Sequence, residues 1–153
     1  DVPTSLHGYN VLITGSTSGI GFDAALAFYA RGAHVIVHSS DQGRANKSAA
    51  EIIRYGGAGH TGRATPIAGN LGVFADIHRC SSDVKEAMPR IDILVLNACR
   101  MYGLAPLYND KTLLKQPDSV FKAKSGHDTV MTVNHLGHYL LTELLMSSLA
   151  YGA

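Results

Sequence analysis

The sequence predicts an α/β fold of the Rossmann type: a parallel sheet with flanking helices, amounting to the first half, about four strands, of a doubly wound domain. Three observations carry that expectation. The glycine-rich octet Thr14-Gly15-Ser16-Thr17-Ser18-Gly19-Ile20-Gly21 directly follows the apolar run Tyr9-Asn10-Val11-Leu12-Ile13. A helical pattern comes next, and then a second β-rich run, Ala33-His34-Val35-Ile36-Val37, which completes a β-α-β unit. Strand and helix patterns go on alternating after that, as parallel strands joined by crossover helices require.

At the octet, Gly15 suits a tight positive-φ turn, Gly19 leaves room for an anion, and Gly21 lets a helix lie close to the strand. The first N–H groups of that helix and the positive end of its dipole would face the anion. Glycine clusters also mark ordinary turns. Here the strand before and the helix behind favour a dinucleotide cradle instead. Ile20, Ala24, Ala27 and Phe28 recur at helical spacing until Arg31-Gly32 ends the helix. Asp41 suits the N-cap of a second helix through Ala49, Ile52 and Ile53 to Tyr55, and Gly56-Gly57 stops it.

Beyond a glycine-rich connection over 56–62, Ala64-Thr65-Pro66-Ile67-Ala68 reads as a third strand. Its proline suits a sheet edge, because proline cannot donate to a ladder on both sides. A helix over 73–88 buries Val73, Ile77, Val84 and Met88, and Pro89 helps to end it. Ile91-Asp92-Ile93-Leu94-Val95-Leu96 is apolar enough for a central parallel strand. The pattern then dissolves over 98–126, a connection with Pro106, Pro117 and several lysines. Asp128 caps a final helix bearing Val130, Val133, Leu136, Leu140, Leu141, Leu144, Leu145 and Leu149, an apolar surface wide enough to need more than one neighbour.

A chain of 153 residues with 46% apolar content suits one domain with one buried core. Its 13 basic residues are scattered among 12 acidic ones for a net charge of +1, so nucleic acid is not an expected partner. Cys80 and Cys99 have neither a disulfide framework nor zinc-ligand spacing, which points to a reducing compartment. No apolar stretch reaches membrane-spanning length without a charge or histidine, and the first residues hold no signal core. A soluble, cytoplasmic protein is expected. The absence of an initial methionine suggests a sequence that starts inside a longer one.

The octet, the strand end Leu96-Asn97-Ala98-Cys99 and the segment Val133-Asn134-His135-Leu136-Gly137-His138 together resemble the short-chain dehydrogenase/reductase family from Tyr9 onward. Within it, the run Asn134-His135-Leu136-Gly137-His138 and the strand Gly32-Ala33-His34-Val35-Ile36 look most like the retinol-dehydrogenase-like branch, which includes oxidoreductase domains that elsewhere accompany WW modules. The resemblance implies an NAD(P)-dependent oxidoreductase acting on an alcohol or carbonyl of retinoid, steroid or lipid-like character. It assigns Gly15, Ser16, Thr17, Ser18, Gly19, Ile20 and Gly21 to the cofactor phosphates. Asn97 and Ala98 fall beside the ribose, with Leu96 and Cys99 replacing the family's first asparagine and its glycine. Asn70-Leu71 falls near the adenine, where the family usually has Asp-Leu. Ser39 and Ser40 stand where an acid would select NAD or an arginine NADP. With no carboxylate at those two places and with His38 and Arg44 nearby, NADP is favoured and NAD stays open.

The resemblance also makes Asn134 the asparagine of the catalytic tetrad, whose backbone kinks the helix and holds a water in the proton relay. Its other members are not found. The tyrosine of that tetrad needs a lysine four residues on to favour the phenolate. Tyr9, Tyr29, Tyr55, Tyr102, Tyr108 and Tyr139 are followed at that spacing by Ile13, Ala33, Gly59, Pro106, Thr112 and Glu143, and Tyr151 runs off the end. The expectation is one NAD(P)-binding domain over 1–153, truncated before the catalytic serine and the Tyr-x-x-x-Lys pair and inactive alone. A non-catalytic nucleotide-binding or scaffold module is the alternative. The small-molecule substrate would bind only the full-length protein. The resemblance allows a homodimer through the final helix, for which a plain core helix is the competing explanation. His135 and His138 have metal-ligand spacing but no acidic or cysteine partner, so no metal is expected. Compared with the family, residues 102–127 look like an insertion before the final helix.

Overall fold

The computed structural model of the protein describes residues 4–57, 59, 61–101 and 126–149. Nearly all of the 102–127 insertion lies outside them. The elements run β1 (Asn10–Ile13), α1 (Gly19–Ala30), β2 (His34–Ser39), α2 (Gln42–Gly56), β3 (Arg63–Ala68), α3 (Phe74–Ala87) and β4 (Ile93–Val95). A final helical stretch follows. It opens as α4 (Thr129–Met131), widens into a π turn (Thr132–Leu136), continues as α5 (Gly137–Leu145) and closes in a 3-10 turn (Met146–Ser148).

The four strands are all parallel and stand in the order β3-β2-β1-β4, with Leu12 beside Ile36 on one side and Leu94 on the other. Alternation along the strands splits the apolar side chains between two faces. Val11, Ile13, Val35 and Val37 pack with Ala25, Tyr29, Ala49 and Ile52 from α1 and α2. Leu12, Ile36 and Ile67 pack with Ile77, Cys80 and Val84 of α3 and with Leu141 and Leu145 of α5. Covering both faces is why β1 and β2 read as unbroken apolar runs. Pro66, paired with Val37, lies on the edge strand as expected.

Two elements depart from the sequence reading. The buried stripe of α1 is Gly21, Ala25 and Tyr29, and Ile20 is 82% exposed. The helix is therefore turned by one residue from the expected Ile20, Ala24, Ala27 and Phe28. The reason is Gly21, where a Cβ would strike Asn97 Nδ2 and lie 2.5 Å from the Gly15 carbonyl oxygen, so that this position must face the strands. The fourth strand is only three residues long, because the Asp92 carboxylate accepts the Asn10 N–H at 2.8 Å and Ile91 bridges instead to Leu149. Among the described residues β4 is also an edge, not a central strand, and its residues are only half-buried.

The Asp128 cap is present, with its side chain accepting the Met131 N–H at 2.8 Å. Leu141 and Leu145 are buried, whereas Val133, Leu140, Leu144 and Leu149 pack only at the margin of the core. Gly137 sets how closely this helix approaches the β3–α3 connection. A Cβ there would strike the Leu71 carbonyl oxygen and stand 3.0 Å from both Leu71 Cβ and the Thr132 oxygen. Cys80 is buried, and burial pushes its thiol up to about 12, while Cys99 is exposed. Among the described residues no helix is long and apolar enough to cross a membrane.

Since backbone cannot step aside as a flexible side chain can, Gly137→Ala should cost about 1–3 kcal/mol of stability in a urea titration. An unchanged midpoint would show that the helix backs away freely.

Candidate functional site

Where β1 ends, the chain turns sharply into α1, and two glycines let it do so. Gly15 has φ +65°, and a Cβ on it would sit 2.8 Å from Ala98 Cα. Gly19 has φ +52° with no protein atom within 4 Å of a Cβ, so there the backbone conformation is the constraint. Ser18, the N-cap of α1, makes no side-chain cap hydrogen bond, which leaves the first N–H groups of the helix for an anion.

The turn is held from below by a hydrogen-bond network centred on Thr14. Its buried Oγ1 accepts the N–H groups of Asn97 and Ala98, both at 2.9 Å. Asn97 Nδ2 donates back to the carbonyls of Thr14 at 3.0 Å and Gly15 at 3.2 Å. Ser16 Oγ donates to the Ile13 carbonyl and accepts the His38 N–H. The Gly15 N–H donates to His38 Nδ1 at 3.3 Å. That bond puts the ring proton on Nε2, which faces the Gly69 backbone without a well-formed hydrogen bond. Burial holds His38 down at about 4, so the ring is neutral.

Above this floor lies a cleft of about 560 Å³ at the C-terminal ends of the strands. Most residues expected at a cofactor site line it. Gly15, Thr17, Ser18, Ile20 and Gly21 form one wall, and Ser39 and Ser40 sit at the end of β2. Asn70, Leu71, Asn97 and Ala98 complete it. Ser16 does not reach the cleft, because its hydroxyl is used beneath the turn, and Gly19 stands outside the lining at the exposed start of α1. Asn70 Oδ1 accepts the Gly72 N–H at 2.9 Å, and its Nδ2 has no partner among the described residues.

At the far end, Arg44 Nη2 donates to Ser40 Oγ at 2.9 Å. A carboxylate does stand here: Asp41, whose Oδ1 accepts the Arg44 N–H and lies 4.0 Å from Arg44 Nε. Asn134 is at the rim, where its Oδ1 accepts the Arg100 N–H at 2.8 Å and its Nδ2 donates to the Arg100 carbonyl at 2.9 Å. Its side chain thus holds the chain beyond β4, while its own carbonyl faces His138 Nδ1 at 3.1 Å.

Cys99, Arg100, Gly69 and Val133 also line the cleft, although sequence reasoning gave them no role there. Cys99 could have been found, since it directly follows Asn97-Ala98. His138 Nε2 meets Thr14 Oγ1 at 2.9 Å, and no sequence pattern links two residues so far apart. His135 is exposed and His138 buried, so the two rings do not converge. Among the described residues the lining itself carries no carboxylate and no tyrosine, Asp41 standing behind Arg44. Anion-binding backbone, small hydroxyls, amides and a guanidinium equip this cleft to bind a phosphorylated ligand.

The family model described as short chain dehydrogenase matches residues 9–153. Retinol dehydrogenase 14 from Mus musculus is 32% identical over 99% of this chain and 43% of its own length. The WW domain-containing oxidoreductase of Homo sapiens is 30% identical over 95% of this chain and 31% of its own. Among solved structures, the RhlG/NADP active-site complex from Pseudomonas aeruginosa superposes with a TM-score of 0.72 at 27% identity, covering 95% of this chain and 49% of that one. The chain spans less than half the length of each of these proteins.

Because the folded protein holds His38 neutral, its contribution to stability is whole above the ordinary imidazole value and is lost as pH falls from about 6.5 toward 4. The loss should reach about 3 kcal/mol at the acid end. Urea titrations at about pH 7 and pH 4 should show His38→Gln losing less than the unaltered chain. Equal losses would mean that other groups govern acid unfolding.

Proposed function

The chain belongs to the short-chain dehydrogenase family, and we propose that its 153 residues form the dinucleotide-binding part of an NAD(P)-dependent oxidoreductase that interconverts an alcohol and a carbonyl compound. The observation that carries this reading is the junction of the uncapped α1 N-terminus with a turn too tight for side chains at 15 and 21. Such a junction offers bare N–H groups to a pyrophosphate. The bound dinucleotide would supply or accept a hydride at its nicotinamide. In this reading Thr17, Ser18 and Ile20 meet the phosphates, Asn97 and Ala98 lie against a ribose, and Asn70 offers its amide nitrogen to the adenine.

NADP is the preferred cofactor. Arg44, already aimed at Ser40, is placed to hold a 2′-phosphate, and the NADP complex of the Pseudomonas aeruginosa structure is in keeping with that choice. Asp41 opposes it only in part, because its carboxylate is engaged in capping α2. Asn134 is the one residue of the family's catalytic set that the chain supplies. No Tyr-x-x-x-Lys pair occurs in these 153 residues, so proton transfer is assigned to none of them. The name of retinol dehydrogenase 14 favours a retinoid or similarly apolar alcohol as the substrate of the whole protein. A homodimer through the half-buried Leu140 and Leu144 and a cytoplasmic setting complete the proposal.

Calorimetric titration with NADP+ and NAD+ tests it. NADP+ should bind more tightly, and Arg44→Gln should weaken it about tenfold, the effect of one lost charge-assisted hydrogen bond, while hardly changing NAD+. Tighter binding of NAD+ would overturn the preference, and no binding of either would overturn the reading.

A further inference from the structure

His138 occupies an unusual place. It lies on α5, is 5% exposed, and touches a side-chain hydroxyl near the start of the chain and a backbone carbonyl on its own helical stretch. Its Nε2 is 2.9 Å from Thr14 Oγ1, under the glycine-rich turn, and its Nδ1 is 3.1 Å from the carbonyl of Asn134, inside the π turn.

The chemistry of the four groups leaves one arrangement of protons. A carbonyl only accepts, so Nδ1 must carry the ring proton. Nε2 is then a lone pair, and the Thr14 hydroxyl must donate to it. The Val95 carbonyl is the competing acceptor for that hydrogen, but it is farther away at 3.4 Å. With its hydrogen committed to His138, Thr14 Oγ1 keeps both lone pairs for the Asn97 and Ala98 N–H groups. Every donor in this chain meets an acceptor, from the strand end at Asn97 through Thr14 and the imidazole to Asn134.

We infer that His138 is a positioning residue, which ties the π turn of the final helix to the glycine-rich turn and so sets where the Asn134 carbonyl stands. A neutral ring does this better than an aliphatic side chain because it donates at one edge and accepts at the other. The inference deepens the cofactor-binding reading above and rests on it for its consequence, that the cradle and the one catalytic-set residue of this chain move as a unit. The link itself is a property of the free protein.

Two measurements on the unliganded chain decide it. Imidazole 15N resonances should report His138 as the neutral tautomer protonated at Nδ1, and a proton on Nε2 would overturn the link. Amide hydrogen exchange at 132–136 should speed up at least severalfold in both Thr14→Val and His138→Phe, with α2 unchanged, and Thr14→Ser, which keeps the hydroxyl, should restore the slow rates. Unaltered exchange at the π turn in both variants would also overturn it, as would equal acceleration in α2. Should Thr14→Val fail to fold, His138→Phe and the tautomer measurement still decide. Added NADP+ tests the underlying reading separately. Failure of NADP+ to slow any wild-type amide at 15–21 would sink the cofactor assignment, whereas the link between Thr14 and His138 would still stand or fall on the unliganded chain.

Discussion

The first turn of α1 sits so close to the ends of β1 and β4 that there is no room for a side chain at Gly15 or Gly21. That approach places the Gly15 carbonyl and the Asn97 amide against the helix start, and it turns α1 so that Ala25 and Tyr29 face the sheet. The core on that face follows from this rotation, since Ala25 and Tyr29 pack against Val11, Ile13, Val35 and Val37. The cleft follows too, because lifting the helix away would disperse the N–H groups that face it. One close contact therefore joins the packing of the domain to its capacity to hold an anion.

Much of this was legible in the chain. The order of strands and helices, the edge position of Pro66 and the Asp128 and Asp41 caps follow from local rules of periodicity, capping and turn chemistry, whereas most of the cleft lining was legible only through the family resemblance. What was not legible depends on contacts between distant segments. The helix α1 is apolar nearly all round, so its sequence offers no contrast from which to choose a face, and only the collision awaiting a side chain at position 21 selects it. The late start of the fourth strand needs the Asp92 carboxylate to take the Asn10 N–H, 82 residues away. Thr14 and His138 were visible as letters of two separate motifs, and their bond spans 124 residues.

The cleft divides its work by chemistry. The end beside the glycine-rich turn is built largely of backbone, whereas the far end carries Arg44, an exposed side chain shared between Ser40 and Asp41. Exposed charge pairs are weak and screened by salt. The Arg44 end is therefore the part of the cleft that salt affects most. Histidine does two different jobs beneath the floor. His38 supports Gly15 through a lone pair, and His138 joins Thr14 to the final helix through both nitrogens.

Cys80 and Cys99 lie on opposite sides of the boundary between interior and cleft. The first is sealed in the core with its thiol raised to about 12, and the second stands exposed on the wall beside Ala98. Reactivity follows the thiolate and its access to solvent, so a thiol reagent meets one cysteine in the folded chain and two in the unfolded one. The protein thus carries its own pair of reporters: labelling at position 99 senses whatever fills the cleft, and labelling at position 80 marks the loss of the fold that shapes it.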